Sequence, residues 1–256
     1  MGDLWFVGAG LCDERDLSER AIERLRACDE VFAEEYTAVL AQGALGRLSD
    51  RIGRPIVALG RSEVEDGRRI WSALDGGRSV ALVVPGDPFA ATTHVALRGE
   101  AEERGHRWHY LPNASVLVAA PGFLGLMPYR FGRTVSFPFP SAGFEPTSPI
   151  EGIRANRLAG LHTLVLLDLD PASGRYLTGP EALGTLVDRD PGRTLLPSGT
   201  RVGLLARVGT ETARAWYGEV DRLRSLDAGP PMHCLVVPAP ELHFVERAAV
   251  ERFLIV

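Results

Sequence analysis

The sequence predicts an α/β protein of two domains, each a sheet covered by helices. Three observations carry that prediction. Apolar, strand-like runs alternate with amphipathic helical runs along the whole chain. Most of the strand-like runs are continuously apolar rather than alternating, as strands buried on both faces must be. The stretch LPNAS separates two sets of such units, which gives domains over residues 1–112 and 113–256.

The elements follow in order. LWFVGAG is a buried strand that ends in a glycine turn. LSERAIERLRACD is a helix, because Leu17, Ala21, Ile22, Leu25 and Cys28 share one face, with Ser18 as a candidate cap. EVFAEEYT is the second strand. GRRIWSAL is helical, and RSVALVV is a strand leading into the loop PGDPFAATTH. HVALRGEAEERG is a helix and HRWHYL a short strand. NASVLVAA opens a new helix with Asn113 or Ser115 near its start. GRTVSFPFP reads as a strand whose end Pro138 demotes to an edge. SPIEGIRANRLAG is a helix, HTLVLLDLD a strand and GPEALGTLVDRD a helix. TRVGLLARVG is a strand, TETARAWYGEVDRLRSL a helix and MHCLVVPAP a strand. The tail HFVERAAVERFLIV carries both helix and strand signals.

Composition removes several function classes. The 256 residues are 45% hydrophobic with a formal net charge of -5, against the basic surplus of nucleic-acid binders. All 28 basic residues are arginine, so there is neither a Schiff-base lysine nor a Walker lysine. Cys12, Cys28 and Cys234 are too widely spaced for a disulfide framework or a zinc cluster, which suits a reducing cytoplasm. The N-terminus lacks a signal-peptide pattern. The longest uncharged run, ASVLVAAPGFLGLMPY, falls short of the ~20 apolar residues that span a bilayer, so no membrane segment is expected.

Four constellations are candidates for chemistry. In VGAGL, Gly8 and Gly10 allow a sharp turn or close ligand approach, but Asp13 stands where a dinucleotide fingerprint needs its third glycine. Glu34 and Glu35, at the end of the second strand, could hold a ribose hydroxyl. In PGDPFAATTH, Pro85 and Pro88 stiffen the backbone on either side of Asp87, at a strand C-terminus where open α/β sheets bind ligands. Asp87 is either a positioned acceptor or the cap of its own turn. Thr92, Thr93 and His94 read as helix-start residues first and polar lining second. In PNASV, Ser115 offers a hydroxyl beside the N–H groups of a helix start, or serves as a cap. In GPPMHCLVVP, His233 opens an apolar strand. It has no neighbour with metal-ligand spacing, nor do His106 and His109, so no metal is assigned. Elbow, P-loop, kinase and zincin patterns are absent.

The stretches FVGAGLCDERDLS, CDEVFAEEYT, VPGDPFAATTH, FEPTSPIEGIRANRLAGLHTLVLLDLD, LLARVG and PPMHCLVVP together resemble the diphthine synthases, a family within the tetrapyrrole-methylase-like methyltransferases. The resemblance runs from residue 6 to about 238. It implies S-adenosyl-L-methionine as cofactor in an inter-domain cleft, S-adenosyl-L-homocysteine as product, and a cytoplasmic homodimer. It implies translation elongation factor 2 as protein substrate, methylated on the amino group of the modified histidine precursor of diphthamide. The cofactor positions it implies are Leu11, Asp87, Ala90, Ser115, Val116, Leu167, Val208 and His233. Ala90 stands where valine is common and Val208 where alanine is common. Met232 reads as an insertion ahead of His233. No catalytic residue is nominated: a base for the amine is water or a cleft carboxylate. The alternatives are another methylase of the same group acting on a corrin precursor or ribosomal RNA, and a non-catalytic module that binds the same cofactor. The missing third glycine argues against a nicotinamide-binding domain.

Overall fold

A computed structural model describes residues 1–139 and 147–255. The chain divides into two compact units, Met1–Val116 and Leu117–Val256. The end of GRTVSFPFP at Pro140, and Phe144–Pro146 of the FEPTS stretch, lie outside the described residues.

The first unit is a five-stranded, fully parallel sheet. Its strands are β1 (Asp3–Gly8), β2 (Glu30–Glu34), β3 (Ile56–Leu59), β4 (Ser79–Val84) and β5 (Arg107–Leu111), in the order β3-β2-β4-β1-β5. The helices are α1 (Glu19–Ala27), α2 (Ala44–Ile52), α3 (Arg61–Asp66), α4 (Arg68–Asp75) and α5 (Val95–Glu103). Alternation along each strand sends side chains to opposite faces. Leu4, Phe6, Phe32, Val80 and Leu82 pack with Ile70, Leu74 and Leu97 of α4 and α5. Val7, Val31, Ala33, Ala81 and Val83 pack with Ile22, Leu25 and Leu48 of α1 and α2. A sheet buried on both sides requires the continuous apolar runs seen in the sequence. Ser18 is the α1 cap, its hydroxyl accepting from the Ala21 N–H. The sequence reading names no element over the segment holding α2, β3 and α3, although Ala44, Leu48 and Ile52 recur every four residues and are the buried face of α2.

The second unit holds α6 (Val116–Leu124), which opens at the last residue of the first unit, then β6 (Val135–Phe137), α7 (Ser148–Leu158) and β7 (Thr163–Leu167). A two-residue pair, β8 (Leu169–Asp170) and β9 (Arg175–Tyr176), precedes α8 (Gly179–Asp188). There follow β10 (Arg201–Ala206), β11 (Arg214–Glu219), α9 (Val220–Leu223), β12 (His233–Val237) and α10 (Phe244–Val250). The main sheet runs β11-β10-β12-β7-β6, parallel only between β6 and β7. One face carries Val165, Val202, Leu204, Leu235 and Val237 against Leu183 and Leu186 of α8. On the other, Gly203 lets the Leu124 side chain of α6 approach, since a Cβ there would lie 2.6 Å from it.

Two elements differ from the sequence reading, and the tail, open in that reading, takes a definite form. TETARAWYGEVDRLRSL is not one helix: it supplies β11 and then the single turn α9. Trp216 and Tyr217 favour strands, and the whole of β11 pairs antiparallel with β10, so tertiary pairing overrides local helix propensity. Gly218 belongs to that arrangement, because a Cβ there would meet Ile255 at 2.7 Å. HTLVLLDLD breaks at Asp168, whose carboxylate accepts from the N–H groups of Leu169 and Phe139. The tail is α10, with the His243 N–H donating to Glu246 Oε2 at its start. GRTVSFPFP gives the short edge strand β6, which stops at Phe137, before Pro138.

A buried polar knot ties this unit together. His162 and Glu246 are both fully buried, with His162 Nε2 3.0 Å from Glu246 Oε1. The Ala239 N–H donates to His162 Nδ1 at 2.8 Å, so the ring proton sits on Nε2 and points at the carboxylate. Glu246 also accepts from the Met127 and His243 N–H groups and from Arg130. Burial holds His162 below its ordinary pKa of 6.5, opposed by Glu246 and assisted by Arg130. Burial lowers His233 in the same way. Both rings are therefore neutral in the folded protein while the unfolded chain takes up protons below pH 6.5. Their contribution is complete above that pH and should be lost as pH falls through 6.5 toward the folded-state values. Urea midpoints for this unit, read from exchange of β7 and β12 amides, should drop between pH 7.5 and 5.5. The slope should shrink in His162→Gln, and a midpoint flat across that range rules out the neutral pair.

Candidate functional site

In the first unit the loops after β1, β4 and β5 meet at the C-terminal ends of three adjacent strands. Backbone bonds close them on one another: the Ala9 N–H donates to Val84 O, and Gly10 and Gly86 exchange N–H···O bonds in both directions. Gly10 and Gly86 both have positive φ, 78° and 72°. Gly8 has no room for a side chain, because a Cβ would sit 2.7 Å from Asn113 Cβ and 2.8 Å from Gly86 O. The Asn113 amide donates to Gly8 O at 2.9 Å and Asp16 O at 3.0 Å. The glycine turn thus packs loop against loop, and the Leu11 and Cys12 N–H groups both donate to Asp16 Oδ2.

Asp87 sits at the centre of this junction, 9% exposed. Its Oδ2 accepts from the Tyr110 hydroxyl at 2.6 Å and the Asn113 N–H at 3.2 Å, and its Oδ1 from the Phe89 N–H at 3.0 Å. The acid therefore caps its own turn and also fastens the loop to the end of β5. Of the two readings of the sequence the turn cap is present, and the same side chain also joins two loops of the fold. Burial and the Asp87 carboxylate push the Tyr110 phenol up to about 12. Tyr110 was not among the sequence candidates. Its signal is the alternation of HRWHYL, which puts Trp108 and Tyr110 on one face, each against Phe89.

Behind the loop lies a buried polar group. His94 Nδ1 donates to Pro88 O at 3.0 Å, and Thr92 donates to the same carbonyl at 2.6 Å. His94 opens α5 but does not cap it: the ring is 1% exposed and lies 3.7 Å from Glu34 Oε2. Glu34 is buried as well, its Oε1 accepting from Thr37 and its Oε2 accepting no hydrogen bond. This pair is used inside the fold, and Glu35 is the exposed one of the two.

Leu11, Asp87, Ala90 and Ser115 lie on the loops after β1, β4 and β5, at this one end of the first sheet, and Val116 opens α6 directly after the last of these loops. Leu167, Val208 and His233 gather at one end of the second sheet. Leu167 is the last residue of β7, and His233 pairs with Ala206, two residues before Val208. Since Cys234 pairs with Leu166, His233 and Leu167 are also neighbours across the strands. The His233 ring is engaged with its surroundings: Nδ1 accepts from the Gly179 N–H at the start of α8, and Nε2 donates to Pro230 O. His106 and His109 likewise serve β5, the first with Asp75 and the second with Asp3 and stacked on Trp5. Among the described residues no helix is long and apolar enough to cross a membrane.

The eight positions provide five aliphatic side chains, one carboxylate, one hydroxyl and one imidazole, with no cation. A family model described as tetrapyrrole (corrin/porphyrin) methylases matches residues 3–223. A protein of Methanothermobacter thermautotrophicus named diphthine synthase is 40% identical over 269 residues, spanning 98% of this chain and 100% of its own. One from Methanocorpusculum labreanum with the same name is 39% identical over 255 residues, spanning 98% of each. A crystal structure of diphthine synthase superposes with a TM-score of 0.87 at 33% identity, covering 98% of this chain and 96% of the other.

Proposed function

Since the chain belongs to the tetrapyrrole methylase family and, within it, to the diphthine synthases, we propose that it methylates translation elongation factor 2 on the amino group of the modified histidine precursor of diphthamide. It is a methyltransferase. S-adenosyl-L-methionine is the donor, the protein works as a homodimer, and the compartment is the cytoplasm. The observation that carries the reading is the gathering of five candidate positions at the C-terminal ends of β1, β4 and β5, around an acid held by three hydrogen bonds.

The residues fit the donor. A carboxylate offers about four acceptor sites and Asp87 uses three, so one remains for an ammonium or hydroxyl of a ligand. Leu11, Ala90 and Val116 of the first unit offer the aliphatic surface an adenine needs. When bound, S-adenosyl-L-methionine supplies a methyl on a sulfonium leaving group and departs as S-adenosyl-L-homocysteine. What the chain contributes is alignment. Holding an amine in line behind the methyl carbon can remove on the order of 7–11 kcal/mol of barrier. The first methylations release a proton from the amine to water or a carboxylate, and a quaternary product has none left to release. No side chain is required as nucleophile.

Mixing the protein with labelled donor and elongation factor 2 bearing the unmethylated precursor should add whole methyl groups to that one peptide. Transfer to a corrin precursor or to ribosomal RNA instead, with the factor untouched, overturns the reading. A thiol probe checks the donor positions separately. Cys12 is half-buried and its thiol is raised by burial and by Asp13, while Cys28 and Cys234 are buried, which pushes them up to about 11 and 12. Maleimide should label Cys12 first, and saturating donor should slow that labelling severalfold because Leu11 is its neighbour. Equal rates remove the glycine turn from the donor site.

A further inference from the structure

The second unit contains a cavity of about 540 Å³ that none of the eight candidate positions lines. It lies at the other end of the second sheet from Leu167, Val208 and His233. Arg201 is the first residue of β10, while Val208 lies two residues past its last; Pro238 follows the last residue of β12, while His233 is its first. At about 3.3 Å per residue, the two ends of β10 are roughly 17–20 Å apart. The volume falls within the range of small-molecule sites.

Its charge is unusual for this acidic protein. Among the described residues, Arg157 from α7, Arg201 and Arg247 from α10 line it, with Glu251 as the one carboxylate. Among the described residues none of the three arginines forms an ion pair with a carboxylate. Arg157 is half-buried, its one hydrogen bond runs to Pro238 O at 3.3 Å, and burial alone moves its pKa, downward. A half-buried guanidinium without a counter-charge is costly, and Arg157, with the exposed Arg201 and Arg247 beside it, fits an anion bound in that space. Three cations against one carboxylate leave an excess of two positive charges, the charge of a phosphate monoester dianion. Guanidinium groups bind phosphate oxygens in pairs of parallel hydrogen bonds. Tyr217 and Leu242 line the same space and add apolar surface beside the arginines.

We propose that this cavity is a second ligand site, for a phosphate monoester of mononucleotide size. Uridine 5′-monophosphate is the probe, because its base differs from the adenine of the methyl donor. Calorimetric titration of the intact protein, saturated with S-adenosyl-L-methionine, should show one site per chain with a Kd of about 1 mM or tighter. Uridine should not bind. Arg201 and Arg247 are exposed, so Arg201→Gln and Arg247→Gln should fold normally, and each should weaken the nucleotide at least tenfold. Affinity should also fall as salt is raised. Four results overturn the proposal: no binding at millimolar nucleotide; binding unchanged in both variants; inorganic phosphate binding as tightly as the nucleotide, which reduces the site to a bare anion hole; or loss of the dimer in Arg247→Gln without nucleotide binding in the parent, which makes the cavity a subunit contact.

Discussion

Asp87→Ala should lower both donor affinity and stability. The substitution leaves the Phe89 and Asn113 N–H groups and the Tyr110 hydroxyl without their acceptor. Hydrogen bonds to a charged group contribute roughly 1.5–3 kcal/mol each, and the exposed side of Tyr110 regains water, so a total loss of about 3 kcal/mol is expected. The loop would also lose its tie to β5, and affinity for S-adenosyl-L-methionine should fall at least tenfold. Urea unfolding measures the first effect and calorimetric titration the second. Unchanged donor affinity in a folded variant would remove Asp87 from the site. Tyr110→Phe separates the two roles: it deletes one of the three bonds, should cost about 1 kcal/mol, and leaves the carboxylate in place. In Asp87→Ala the Tyr110 phenol should titrate lower than its present value of about 12, since one of the causes raising it has gone.

Glu246→Ala should be more damaging still. It removes the acceptor of four donors at once and leaves Arg130 facing a buried space. Breaking a buried ionic pair by deleting one partner costs about 3–5 kcal/mol, because the remaining charge is uncompensated. The expected result is a large drop in the denaturation midpoint, with earlier exchange in β7 and α10. Glu246→Gln keeps an acceptor for one or two of the N–H donors and should fall between the alanine variant and the parent. A loss below about 1 kcal/mol for the alanine variant would show that water takes over the four donors, contrary to the burial of the group.

How far the sequence could be read depends on the range of the interaction. Ser18 as a cap and the buried stripe of Ala21, Ile22 and Leu25 act within a few residues, so periodicity reveals them. The prolines around Asp87 mark a stiff loop, and the positive φ of Gly86 is a local need. The partners of that loop are different. Asn113 holds Gly8 across 105 positions, and Tyr110 reaches Asp87 across 23. Nothing in either short stretch announces the other. His94 illustrates the same limit: it occupies a helix start, as its neighbours suggest, but its ring turns inward to Pro88 O and Glu34.

By itself the sequence determined the α/β class, the order of most elements, the two sets of units and the stretches that mark the family. Those properties are carried by local propensity, by apolar runs with a period of two or near 3.6, and by residues that fix the backbone. Only the tertiary structure decided that residues 214–219 form a strand, that Glu246 closes on His162 and Arg130, and that Asp87 spends three bonds on its own fold. The reason is strand order. β1 lies between β4 and β5, and β12 between β10 and β7, so residues far apart in the chain become hydrogen-bonded neighbours, and the free energy of those long-range pairings outweighs the weaker preferences of each segment taken alone.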